Sequence, residues 1–231
     1  MRLRTKTVLS LPACLLAANV SAVPVTLTAL TGLTGGAPAE TVVFKADLSA
    51  VGFATLLSIT ISDNSGGLGG PTGQFTGFDL DAIKLSTTDC ADAACAAGLA
   101  GLGVFDFGLG TIFTPGTQRP VADPKLFGTG PGGNTVDDSV ARLGLFDGNS
   151  TTAIPGADGF ISMGDNGILS FNLTAGVSTA GLFLYIGEVG NNGEVAASDI
   201  QVRPTLVPEP ATLALLGLGL IGLGYMPRRK T

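Results

Sequence analysis

Between residues 23 and 206, apolar and polar positions alternate in short runs, and the period of two predicts strands. Leu57, Ile59 and Ile61 alternate with Ser58, Thr60 and Ser62. Phe78 and Leu80 alternate with Asp79 and Asp81. The apolar phase then slips to Ile83 and Leu85, which predicts a bulge near Ala82. Phe105 and Phe107 flank Asp106, while Ala141, Leu143 and Leu145 flank Arg142 and Gly144. Leu169, Phe171 and Leu173 flank Ser170 and Asn172. Leu182-Phe183-Leu184-Tyr185-Ile186 is apolar on both faces, so it predicts a central strand, with residues 195–202 as its neighbour. Residues 90–103 are Ala-rich and form the one stretch that reads as a short helix.

The punctuation between these runs is legible as well. Asp165-Asn166-Gly167 and Asn191-Asn192-Gly193 place Asn-Gly pairs between apolar runs, where their tolerance of positive φ suits tight hairpins. Gly-rich loops cover residues 65–71 and 128–134. Neither ends in the Gly-Lys-Ser/Thr of a phosphate-binding loop. About eight to twelve strands with no recurring helix predict an all-β fold, an antiparallel two-sheet sandwich of jelly-roll type. A parallel β-solenoid, the competing architecture, needs a repeating period that the chain lacks.

Composition fits one such domain. There are 231 residues, 35 of them Gly and 13 Pro, and only 13% are charged. Between Val23 and Val207 stand six basic and 17 acidic residues, a net of −11. This charge repels phosphate backbones and disfavours nucleic-acid partners. Histidine is absent, which removes the usual general base and the commonest zinc ligand. No catalytic arrangement emerges, and the chain is expected not to be an enzyme.

The remaining basic residues cluster at the ends. Arg2, Arg4 and Lys6 precede a short apolar run, Val8 to Ala18, and Val20-Ser21-Ala22 offers small side chains for cleavage. Residues 1–22 therefore read as a leader removed by signal peptidase, with Val23 as the first mature residue. A lipoprotein box at Leu11-Pro12-Ala13-Cys14 is the competing reading, and Pro12 fits it badly. At the other end, Val207-Pro208-Glu209-Pro210 precedes 16 uncharged residues, Ala211 to Met226, and then Pro227-Arg228-Arg229-Lys230-Thr231. As a helix the apolar stretch spans about 24 Å at ~1.5 Å per residue. That is a little short of a hydrocarbon core of about 30 Å, with Tyr225 and the arginines left for the interface. A buried core helix competes, but the Pro-rich break before the stretch and the bare positive charge after it favour a transmembrane helix.

This three-part tail, Val-Pro-Glu-Pro, a Gly/Leu-rich span and Arg228-Arg229, resembles the PEP-CTERM sorting signal of Gram-negative bacteria. The resemblance covers residues 207–231. It implies recognition by an exosortase-type membrane protease, a transient stay in the inner membrane, a cut near Pro208-Glu209-Pro210, and delivery to the cell surface or extracellular matrix. Bearers of the signal often come from biofilm-forming, polysaccharide-producing bacteria, so exopolysaccharide is an implied partner; the same tail also occurs on some ice-binding proteins. The middle domain, 23–206, is then the cargo. Within it, residues 158–203 loosely resemble adhesin-like sandwich domains of bacterial surface proteins. The expected function is a non-enzymatic structural or adhesive surface protein, with a dedicated glycan or ice binder as the alternative and a glycoside hydrolase as a remote one.

Three groups of side chains carry candidate chemistry in the cargo. Cys90 and Cys95 are close enough in sequence for a small disulfide loop in an oxidising compartment. Asp137, Asp138, Asp147, Asn149, Asp158 and Asp165 sit in Gly/Asn-rich surroundings that could supply oxygen ligands to calcium; otherwise they cap turns. Asp79 and Asp81 share one face of a strand, and Glu188 and Glu194 flank a turn, which are the pairings a hydrolase would use. Phe183 and Tyr185 could form a carbohydrate platform, but packing of a central strand explains them better.

Overall fold

The computed structural model describes residues 21–36, 40–64, 67, 71–148, 159–193 and 199–208. The strands among them are β1 (Val23–Pro24), β2 (Thr28–Ala29), β3 (Thr41–Asp47), β4 (Thr55–Ser62), β5 (Asp79–Ser86), β6 (Thr111–Thr114), β7 (Ile161–Ser162), β8 (Ile168–Ser178), β9 (Phe183–Val189) and β10 (Asp199–Arg203). Two short helices, α1 (Ala93–Gly98) and α2 (Asp138–Ala141), and a 3-10 turn at Gly73–Phe75 complete the described elements. The first sheet has the order β1-β10-β4-β8-β6 and the second β2-β3-β9-β5-β7. All pairings within them are antiparallel.

The connectivity is a rolled hairpin. The pairs β1·β10, β3·β9, β4·β8 and β5·β7 are nested in sequence and alternate between the first and second sheets. That is the jelly-roll arrangement, with β2 and β6 as extra edge strands. Val23 pairs with Val202 across nearly the whole domain. Between the sheets, Ile59, Ile61, Leu169, Phe171, Ile200 and Val202 from one side meet Ala46, Leu80, Ile83, Leu85, Leu184 and Ile186 from the other. Burying each of the larger aliphatic side chains stabilises the fold by about 1.5–3 kcal/mol. The expected slip in β5 is present as a register shift between Leu80 and Ile83.

Several expectations are corrected. The neighbours of β9 are β3 and β5, while β10 lies in the opposite sheet. β9 is apolar on its outer side because α1 and Phe146 cover it; Tyr185, Val43, Ala82, Cys90, Ala93 and Ala96 form a second core there. The strand expected around Ala141, Leu143 and Leu145 is instead α2, ended by Arg142 in the left-handed region at φ 48°. Asp137 caps it through the Ser139 N–H, and Asp138 accepts from the Leu143 N–H, so local carboxylates outcompete a three-residue alternation. In β4 a second bulge, between Leu56 and Ser58, seats Leu56 rather than Leu57 in the core.

Phe105 and Phe107 form no strand beyond one bridge to Leu173; their rings stack 5.5 Å apart, and both meet Phe171 edge-on. Asn166 and Asn191 do adopt positive φ, 65° and 45°. Yet the turn at Asn166 passes from β7 to β8, and that at Asn191 leads from β9 toward β10. Both connections change sheets rather than close hairpins.

Candidate functional site

After β10 the chain does not leave the sandwich at once. Arg203, Ser58 and Asn172 are register partners in one row across β10, β4 and β8. Their alternation with the inward Val202, Ile59 and Phe171 puts them on the outer face of the first sheet. Residues 204–207 run along this row as a strap. The Ser58 hydroxyl donates to the Thr205 carbonyl at 2.6 Å. The Val207 N–H donates to Asn172 Oδ1 at 2.8 Å, and Asn172 Nδ2 donates to the Val207 carbonyl at 3.0 Å. A side-chain amide thus replaces a neighbouring strand for one residue. Arg203 supports the entry to the strap by donating to Thr60 Oγ1 at 2.6 Å and to Gln201 Oε1 at 2.9 Å. Of the tail residues singled out in the sequence, Val207 and Pro208 are placed, and Glu209, Pro210, Arg228 and Arg229 lie outside the described residues. Among the described residues no helix is long and apolar enough to cross a membrane, and the expected span lies beyond them.

The outer face of the second sheet is polar chemistry turned to structural use. Cys90 and Cys95 are joined by a disulfide, with Cα atoms 5.6 Å apart. Asp92, inside the disulfide loop, caps α1 by accepting from the Cys95 N–H at 2.7 Å. The Tyr185 hydroxyl accepts from the Cys90 N–H at 2.9 Å and donates to the Thr88 carbonyl at 2.6 Å. Burial pushes this phenol above its ordinary range. Lys45 donates to Asp89 at 2.5 Å and to the Cys90 carbonyl at 2.9 Å. Lys84 donates to the carbonyls of Ala97 and Leu99 at 3.1 and 2.8 Å, satisfying the end of α1. Burial lowers the Lys84 pKa against the attraction of Asp81 and Asp147. Lys45, Lys84 and Tyr185 therefore clamp the segment 87–99 onto the sheet. Sequence reasoning missed the lysine pair; the available signal was Lys45 and Lys84 standing at polar-phase positions of otherwise apolar runs.

The acidic candidates disperse. Asp81 is fully buried and accepts from the Thr41 hydroxyl at 2.5 Å and from the Gly148 and Asp147 N–H groups at 2.7 and 3.2 Å. Burial raises its pKa to about 7, against the opposing effect of these donors. Asp79, on the same strand face, is also buried and accepts from the Ser162 hydroxyl at 2.5 Å. Glu188 is buried as well, and Glu194 lies outside the described residues.

Of the calcium candidates, Asp137 caps α2, and Asp138 accepts from Leu143, with burial raising its pKa. Asp147 pairs with Arg142 at 3.1 Å. Asp165 takes a two-pronged contact from Arg119, Nη2 to Oδ1 at 2.7 Å and Nε to Oδ2 at 3.0 Å. Asn149 and Asp158 lie outside the described residues. Among the described residues no group of three or more acidic side chains is placed to hold a metal ion.

Comparison with known proteins bears on the strap's destination. Residues 206–230 match the PEP-CTERM protein-sorting motif, so the match begins within the strap. The motif marks an exported protein that goes to the cell surface and is processed by an exosortase-type membrane protein. No curated protein and no solved structure matches the chain, and the adhesin-like resemblance of residues 158–203 finds no support.

Proposed function

We propose that the jelly-roll domain is the non-enzymatic cargo of this sorting signal, a structural or adhesive component of the cell surface or matrix that meets exopolysaccharide in a biofilm. Residues 1–22 are the leader, 23–206 the cargo, and 207–231 the segment that engages the inner membrane before processing. The observation that carries the reading is the sorting motif beginning at Leu206, next to the Val207 that Asn172 ties to the sheet. The disulfide between Cys90 and Cys95 supports an oxidising destination. A role without catalysis is supported by Asp79 and Asp81, the best-placed carboxylate pair, being buried and occupied in hydrogen bonds.

Two measurements test this. The intact mass of the protein released by the producing cells is expected to lack both the leader and the tail, with Cys90 and Cys95 oxidised. A cytosolic protein that retains both ends refutes the reading. A pull-down of the mature protein on the host's exopolysaccharide then separates an adhesive from a purely structural role.

A further inference from the structure

We propose that Asn172 is a positioning residue for sorting: by pinning Val207 to the first sheet it withholds the Pro-Glu-Pro motif, and the strap 204–207 must peel away before the membrane protease can engage it. The inference rests on the reading of residues 207–231 as a membrane-engaged sorting segment.

The argument is one of reach. Asn172 stands within the eleven-residue β8, four residues from its Ile168 end, so Val207 is held on the sheet face rather than at the tip of the sandwich. Only residues 208–210 separate that anchor from the uncharged stretch that begins at Ala211. Fully extended, three residues span about 11 Å. With the strap docked, the sheet and the bilayer face stand no further apart than that at the motif. Stacked β-sheets lie about 10 Å apart and the side chains on their outer faces add to that, so even a minimal folded body is thicker than this gap, and the part of the membrane protease that stands outside the bilayer does not fit beside the motif. Releasing residues 204–207 adds four residues and about 14 Å, taking the reach to about 25 Å.

The strap is suited to release. Leu206 is 54% exposed and Pro204, Thr205 and Val207 are half-buried, so no residue of the strap is a core residue, and the hydrogen bonds that seat it are the Ser58 bond and the paired Asn172 bonds. Removing the Asn172 pair is expected to raise the released population about tenfold.

The test follows loss of the tail from the full-length protein in its producing cells, by pulse-chase, for the wild type and two variants. Asn172→Ala removes the clamp. Insertion of four Gly/Ser residues between Val207 and Pro208 keeps the clamp and lengthens the reach. Both variants are expected to be processed faster than wild type, Asn172→Ala about tenfold, and the insertion variant to melt at the wild-type temperature. Processing of both variants at the wild-type rate, or slower processing of Asn172→Ala, overturns the proposal. So does acceleration by Asn172→Ala alone, which reports a loosened fold rather than limited reach. If the wild-type tail is never cut, the reading of the tail itself fails and takes this inference with it; a wild type that is cut while the variants match it fails the inference alone.

Discussion

The Thr41 hydroxyl donates to the buried Asp81 carboxyl at 2.5 Å, joining the first residue of β3 to β5 across the intervening β9. The same carboxyl holds the backbone of Asp147 and Gly148, so one side chain fastens the loop that carries Phe146 over the outer face of the second sheet. Its pKa, pushed up to about 7 by burial, turns this fastening into a pH dependence. Below about pH 4 the carboxyl is protonated in both folded and unfolded chains. As pH rises, the unfolded chain releases its proton first, so the stability Asp81 contributes falls until the folded carboxyl ionises near pH 7. The slope approaches 1.4 kcal/mol per pH unit, on the order of 4 kcal/mol across the window. Asp81→Asn keeps the shape without the charge: its Oδ1 can still accept from the Gly148 and Asp147 N–H groups, while its Nδ2 donates to the Thr41 hydroxyl oxygen in place of the bond accepted there. Denaturant melts between pH 4 and 8 are expected to show a flattened slope in this variant and a gain in stability at pH 8; an unchanged slope sinks the assignment.

The disulfide closes a short loop around the start of α1, and Cys90 is buried in the second core. By the loop-closure argument it stabilises the fold by about 2 kcal/mol. Replacing both Cys90 and Cys95 by Ser is expected to lower Tm by about 4–8 °C in a domain of this size. Calorimetry of wild type with and without reductant should show the same gap, and reductant should leave the double variant unchanged.

Three glycines let three chain segments cross without side chains between them. A Cβ on Gly77 would lie 2.4 Å from the Gly164 carbonyl carbon, and one on Gly116 would lie 2.4 Å from the Asp165 carbonyl oxygen. These contacts are to backbone, which cannot step aside as a flexible side chain can. Beside the crossing, Thr117 bridges Asp165 and Arg119 grips the Asp165 carboxylate. Gly116→Ala is expected to destabilise by about 1–3 kcal/mol through overpacking alone. Gly108→Ala, where the nearest atom is a side-chain oxygen at 3.3 Å, is expected to cost less than 1 kcal/mol, about the scale of an ordinary surface substitution. Equal losses in the two variants would remove the crossing as the cause.

Calcium is expected to leave the fold unmoved. Asp137, Asp138, Asp147 and Asp165 are each engaged by the protein's own donors, two of them by arginines. A cation binding there would have to displace those partners. Thermal melts with millimolar calcium and with chelator should coincide within about 1 °C; a rise of several degrees with calcium, about 2 °C or more per kcal/mol of binding energy, reverses this expectation.

By itself the amino-acid sequence determined what depends on near neighbours. Alternation marked β4, β5 and β8, a run apolar on both faces marked β9, the phase slip marked the bulge in β5, and Asn166 and Asn191 announced positive φ. The tail was equally legible, because an uncharged stretch bounded by prolines and arginines carries its chemistry in its order. Partnership between distant segments was decided by the tertiary structure. A strand's pattern says that it needs a neighbour and not which one, so β10 came to lie beside β4 rather than β9, and sheet-changing turns stood where hairpins were expected. Asp79 and Asp81 read as a carboxylate pair on one strand face; the tertiary structure buries both, Asp79 against Ser162 and Asp81 under the loop that carries Phe146. Asn172, an ordinary outward residue of an alternating strand, acquired its role only when the last strand brought Val207 across the sheet to meet it.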